Sequence, residues 1–157
     1  MCRILWIEDE ADGQMADYVD PVIDAEYDLD VEVNATDAIR RLKEDEYDLV
    51  IFDLIINAGD DVAWNEYDQR EHHNKSSGYL GLQLMRAVLS PEKHPLAVRP
   101  RIGWLTRDKI AVFSVVTDKE VITELRGLGI SRIESKTEAP ITAVLDIIHA
   151  HLGPKTG

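Results

Sequence analysis

Cysteine is almost missing. The 157-residue chain has one, Cys2, so no internal disulfide can form and no cysteine-ligated metal site exists. Long apolar runs are missing as well. None approaches the roughly 20 residues that span a bilayer, and no membrane partner is expected. The N-terminus lacks the basic segment and apolar stretch of a secretory leader, since Met1 runs almost at once into a strand-like segment. The expectation is a soluble, cytoplasmic protein. Bases are scarce: 17 against 30 acids, for a net charge of −13. Such a chain is a poor candidate for direct binding to a nucleic-acid backbone.

What is present suits one domain. Hydrophobic residues make up 45% and charged residues 30%, an ordinary globular balance that argues against disorder. A core of this size needs no disulfide or structural metal. The charge is unevenly spread. Residues 1–80 hold 22 acids and 6 bases, whereas residues 81–157 hold 8 acids and 11 bases. The excess serves solubility, or some of the acids converge on a cation.

Apolar runs that stay apolar at every position read as strands buried on both faces. Ile4-Leu5-Trp6-Ile7 is one, ended by Glu8-Asp9-Glu10. Leu49-Val50-Ile51-Phe52 is another, ended by Asp53. Ile110 to Val116 is a third, and Ile130 to Ser135 a last strand, followed by Lys136. Leu29, Val31 and Val33 alternate with acids, as on an edge strand. Helices are expected over about 12–26, kinked or broken at Pro21, then from a Thr36 cap with Ala38, Ile39 and Leu42 on one face. Three more run from Gly81, over Thr117–Leu128 with Gly129 as the stop, and over Ile141–Leu152. Between Asn57 and Ser77 lies a long polar stretch without an evident element. Residues 91–109, broken by Pro91, Pro95 and Pro100, read as loop. The alternation predicts an α/β fold: a doubly wound five-stranded parallel sheet in the flavodoxin-like order 2-1-3-4-5, with helices on both faces. One domain spans 1–153, with inserted loops at about 57–80 and 91–109 and a tail at 154–157.

In such sheets ligands sit beyond the carboxyl ends of the strands. The residues there are Glu8, Asp9, Asp53, Ser114 and Lys136. Three converging carboxylates repel one another and are costly to desolvate. A hard divalent cation such as Mg²⁺ relieves both effects. Lys136 adds a positive charge and Ser114 a hydroxyl, a set suited to a phosphoryl group on Asp53. Thr106, in IGWLTRD, is a rival to Ser114, which fits the spacing to Lys136 better. His72-His73, with His94, is a nominal metal set but reads as solvated histidine. Trp6, Trp64 and Trp104 read as buried or anchoring residues.

The segments ILWIEDE, YDLVIFDL, GLQLMR, IAVFSVV and LRGLGISRIESK, in that order, resemble the receiver domain of two-component response regulators over most of the chain. The resemblance implies that Asp53 accepts a phosphoryl group from a histidine kinase or phosphotransfer protein. It implies Mg²⁺ bound by Asp9, Asp53 and the backbone carbonyl of Ile55, with Glu8 assisting directly or through water. Lys136 would pair with the phosphoryl oxygens, and Ser114 would move toward them. The 117–152 face would meet a downstream protein target or a second copy. Such a domain is a phosphoacceptor rather than an enzyme.

The chain departs from the family in several places. The stretch between Asp53 and Gly81 is about twenty residues longer than a short βα loop, leaving a lid, a docking element or disorder open. The family's proline after the aspartate is Asn57. Its aromatic switch residue in the last strand is Ile133, and its proline after the lysine is Thr137. Val115, Ile55 and Val116 put apolar bulk near the expected water path, which predicts slow self-dephosphorylation. These departures keep a second function open, a phosphorylation-independent binding module. A phosphohydrolase would want an acid two residues after Asp53, where Ile55 stands. No output domain is expected, so either the domain signals by binding or it belongs to a longer chain.

Overall fold

The computed structural model describes residues 2–10, 13, 15–74 and 78–153. Five strands form one sheet: β1 (Arg3–Ile7), β2 (Asp28–Glu32), β3 (Leu49–Phe52), β4 (Ile110–Ser114) and β5 (Arg132–Ser135). All pairings are parallel, in the order β2-β1-β3-β4-β5. Strand alternation divides the core in two. Leu5, Ile7, Val50, Phe52, Ile110 and Val112 face one layer. Ile4, Trp6, Leu49, Ile51, Ala111 and Phe113 face the other. Each central strand is therefore apolar at every position, as a sheet covered on both sides requires.

Among the described residues six helices cover the sheet, one more than the alternation predicts: α1 (Val19–Asp24), α2 (Ala35–Glu44), α3 (Val62–Glu71), α4 (Leu80–Leu89), α5 (Lys119–Gly127) and α6 (Ala143–Leu152). Residues of α1 and α6 pack in one layer, and those of α2 to α5 in the other.

The expected helix over 12–26 shrinks to a 3-10 turn at Ala16–Tyr18 followed by the six residues of α1. Ala11, Asp12 and Gln14 lie outside the described residues. Pro21 is the third residue of α1, where its missing N–H breaks no hydrogen bond because the first turn's N–H groups have no intrahelical acceptor. Thr36 is not the cap of α2. Asn34 is, accepting from Asp37 N at 2.8 Å. Thr36 Oγ1 instead donates to Ala58 O at 2.7 Å and accepts from Asp61 N at 3.0 Å.

That bond begins the docking of the first inserted stretch, which is not a structureless loop. Asn57 pairs with Asn34, and Asp61 caps α3 by accepting from Trp64 N at 2.9 Å. Trp64 and Tyr67 bury themselves, and Tyr67 donates its hydroxyl to Gln83 Oε1 of α4 at 3.0 Å. The second inserted stretch, 91–109, is loop with 3-10 turns at Pro91–Lys93 and Arg107–Lys109. It meets the first one: the His94 ring stacks on Trp64 with centroids 5.9 Å apart, and its Nε2 lies 3.0 Å from Gln83 Oε1. Trp104 anchors the rest, donating to Leu42 O at 3.1 Å.

The open edges are charged. On β2, Asp28 and Asp30 form ion pairs with Arg3 of β1, both at 3.5 Å. Glu32, at the end of β2, pairs with Arg41 at 2.9 Å. On β5, Arg132 and Glu134 occupy alternate positions.

Candidate functional site

The chain order reverses between β1 and β3, and their carboxyl ends open side by side. Glu8 and Asp9 follow β1, and Asp53 follows β3. A backbone bond holds the two ends in register, Asp53 N donating to Ile7 O at 3.0 Å, and another, from Glu8 N to Glu32 O at 2.9 Å, ties the end of β1 to that of β2. Glu8 and Asp53 are buried, at 0% and 3% exposure, while Asp9 is half-buried. A carboxylate oxygen from each of the three lies within 4.8 Å of the others.

Lys136 reaches in from the end of β5. Its amide donates to Ser114 O at 3.0 Å, continuing the β4–β5 pairing. Its Nζ donates to Asp53 Oδ2 at 2.8 Å and forms a close ion pair with Glu8 Oε2. Glu8 Oε2 has no well-directed hydrogen bond in this arrangement, while Oε1 accepts from Glu10 N at 3.2 Å. Asp53 Oδ1 accepts from Ile55 N, also at 3.2 Å.

One ammonium does not balance these acids. Burial, reinforced by the nearby Asp53 charge and opposed by Lys136, pushes the Glu8 carboxyl up to about 8. For Lys136, burial works to lower the pKa. The hydrogen bonds and charges of Asp53 and Glu8 outweigh it, and the net shift is upward. An all-oxygen, carboxylate-rich donor set with a buried, poorly directed carboxylate oxygen fits a hard divalent cation.

The cleft over this cluster has a volume of about 280 Å³ and is lined by Asp9, Asp53 and Lys136 with Met15, Ile55 and Val115. Ile55 and Val115 are 45% and 53% exposed, a large share for apolar side chains. Among the described residues, no part of 57–80 lines the cleft. The described residues of the first inserted stretch do not form a lid over it.

Ser114 ends β4 and is buried, its Oγ accepting from Val116 N at 3.4 Å. It does not line the cleft. Thr106 lies at the opposite, amino end of β4, capping a 3-10 turn and bonded to Asp108. His72 and His73 are exposed, and among the described residues no metal cluster includes them. His94 is half-buried and engaged by Trp64 and Gln83 rather than solvated. Ile133 packs against the core beside Val112. The Lys136–Thr137 bond is not among the cis peptides, of which the described residues hold one, Arg99–Pro100.

Sequence reasoning missed how Gly81 builds the site. Gly81 N donates to Leu54 O at 3.0 Å, and a Cβ at this position would collide with the carbonyl oxygen of Asp53. Only glycine lets α4 approach the end of β3 so closely. The signal available in the sequence was a glycine at the start of an otherwise strongly apolar helix.

Solved structures share this architecture. The non-phosphorylated HemR receiver domain from Leptospira biflexa matches with a TM-score of 0.65 at 14% identity, covering 100% of this chain and 98% of its own. A two-component response regulator from Clostridium difficile matches at 0.64 and 16% identity, covering 97% and 96%. The BeF3-activated N-terminal receiver domain of Klebsiella pneumoniae RstA matches at 0.62 and 16% identity, covering 96% and 97%. No protein-family model matches the sequence, and a search of curated proteins finds no match. The chain has the receiver-domain fold, with an acidic cluster at the strand ends that is consistent with a phosphoacceptor and divalent-metal site.

Proposed function

We infer that this protein is a phosphorylatable receiver, in which Asp53 accepts a phosphoryl group from a histidine kinase or phosphotransfer protein. The observation that carries the reading is the convergence of Asp53, Glu8, Asp9 and Lys136 at the ends of three strands, over an open cleft. An Asp53 carboxylate oxygen attacks the phosphorus of the donor phosphohistidine. The P–O bond forms as the P–N bond breaks, and the electron pair of the broken bond returns to the imidazole nitrogen. Lys136 Nζ, now on Asp53 Oδ2, neutralises charge on the incoming phosphoryl oxygens. Glu8, Asp9, Asp53 and the Ile55 carbonyl would hold Mg²⁺, which supplies charge neutralisation for the transfer.

Ser114 is the candidate switch hydroxyl. A strand-to-strand backbone bond already joins it to Lys136, so a shift of the lysine loads β4 directly. With Ile133 in the last strand, the switch does not use a rotating ring there. Exposed Ile55 and Val115 at the rim would hinder an attacking water and slow self-dephosphorylation. The α5–β5–α6 surface, which includes a cleft of about 320 Å³ beside Phe113, Ser135 and Ile147, is the proposed meeting face for a protein target or a second copy.

The test is incubation with Mg²⁺ and acetyl phosphate or beryllofluoride, read by mass and by amide shifts. Modification of the wild type that is lost in Asp53→Asn supports the reading. An unmodified protein across Mg²⁺ concentrations overturns it. A second reading, a phosphorylation-independent binding module, draws on the Glu8–Lys136 ion pair, which occupies the lysine without any phosphoryl group. Partner affinity unchanged in Asp53→Ala would favour it.

A further inference from the structure

At the opposite end of β4 lies another cavity, of about 420 Å³, lined by Arg86, Ser90, Lys93, His94, Arg107 and Leu128. Three of these six side chains are permanent cations at neutral pH. Arg86 pairs with Glu124 at 3.2 Å. Among the described residues, Lys93 and Arg107 make no ion pair.

Cations near the last turn of a helix are ordinarily explained by the helix dipole, and that account covers Arg86 at the end of α4. It does not cover Lys93 and Arg107, which belong to neither α4 nor α5. Both come from the 91–109 stretch, with the Lys93 backbone and the Arg107 side chain held in place. Lys93 N donates to Ser90 O at 2.9 Å in the turn that follows α4. The Arg107 side chain lies across Gly129, where φ is +90° and a Cβ would collide with Arg107 Cδ. Gly129 therefore both ends α5 and leaves the groove in which the guanidinium stem lies.

His94 forms part of the wall rather than a donor. Its Nδ1 accepts from Leu96 N at 3.0 Å, which places the proton on Nε2, directed at Gln83 Oε1. Burial first, then the Arg86 charge, holds its pKa below the ordinary value, so the ring stays neutral. The ring is locked by Trp64 and Tyr67 of the first inserted stretch. Both inserted stretches thus serve to rigidify one cationic pocket, at the end of the sheet away from Asp53.

We propose that this pocket is a binding site for a small phosphate-bearing anion, held by the guanidinium forks of Arg86 and Arg107, the Lys93 ammonium and the Ser90 hydroxyl. Guanidinium forks match phosphate oxygens two at a time. The volume exceeds what a bare phosphate needs and falls in the range of small-molecule sites. The anion competes with Glu124 for Arg86.

The test uses the full chain in chelator at constant ionic strength, titrated separately with inorganic phosphate and with glucose 6-phosphate, and read by backbone amide shifts. Saturable shifts are expected at Ser90, Lys93, Arg107 and Leu128. Tighter binding of glucose 6-phosphate identifies an organic phosphate as the ligand class, and equal binding identifies free phosphate. Arg107→Gln and Lys93→Gln, both at exposed positions, should each weaken binding roughly tenfold. Glu124→Gln should strengthen it by freeing Arg86. The proposal is overturned by any of three results: no saturation at these amides by about 10 mM ligand, unchanged affinity in both Gln variants, or shifts confined to Asp53 and Lys136. None of these outcomes bears on phosphorylation of Asp53.

Discussion

The two ends of β4 differ in chemistry and in origin. At the carboxyl end, three acids converge and two of them, Glu8 and Asp53, share Lys136, and every one of these groups lies within two residues of a strand's end. At the amino end, three cations line one cavity, one of them paired with Glu124, and the other two come from a stretch inserted between α4 and β4. The first site is a consequence of topology, since any sheet of this order gathers its strand ends there. The second depends on inserted segments bracing one another. Topology is the sturdier of the two supports, and substitutions should show it.

The largest effect belongs to the carboxyl end. Asp53→Asn should abolish phosphoryl transfer from acetyl phosphate while leaving the thermal transition in place, as intact mass and calorimetry would show. At the other end, Trp64→Ala should cost about 3 kcal/mol in denaturant unfolding, because the ring is 4% exposed and carries the His94 stack. If that variant loses the amino-end pocket but still accepts phosphate on Asp53, the two supports are separable. Gly81→Ala tests the reverse case. It should cost about 2 kcal/mol by overpacking and depress phosphorylation, since its Cβ would press on the Asp53 carbonyl.

A smaller effect concerns pH. The Glu8 carboxyl rises from 4.5 to about 8 on folding, so the native state binds its proton more tightly than the unfolded chain does. The associated stability is fully present below about 4.5 and is lost as pH rises through about 8. In chelator, the melting temperature should fall between pH 5 and pH 8, and Glu8→Gln should flatten that slope. Added Mg²⁺ should restore stability at the upper end, and a flat wild-type profile would contradict the assignment. The smallest expected effect is at Thr106, whose hydroxyl, among the described residues, donates its hydrogen bond to exposed Asp108. Thr106→Ala should shift stability by no more than about 0.5 kcal/mol and leave phosphorylation alone, in contrast to Ser114→Ala.

The sequence was readable where a single physical rule acted alone. Strands buried on both faces must be apolar throughout, so β1, β3 and β4 stood out, as did the acids that close β1 and β3. It was opaque where tertiary contacts decided. Helix α3 buries only Trp64 and Tyr67, too few apolar positions to mark a helical period, and its stability comes from packing against α4 and His94. Thr36 looked like a cap, yet its hydroxyl is used by Ala58 and Asp61, which no local pattern announces. The shared placement of Lys93 and Arg107 was invisible for the same reason. A loop broken by three prolines carries no period that says where its ends return.

The charged margins of the sheet have a further consequence. An exposed strand is a template on which another chain can add, and from there growth into aggregates is open. Here Asp28 and Asp30 on one margin, and Arg132 and Glu134 on the other, would meet their own like charges in a neighbouring copy added in the same register. Sheet growth by pairing of like edges is therefore penalised at both borders. A chain that exposes two inserted segments and several apolar rim residues carries its protection against self-assembly in its outermost strands.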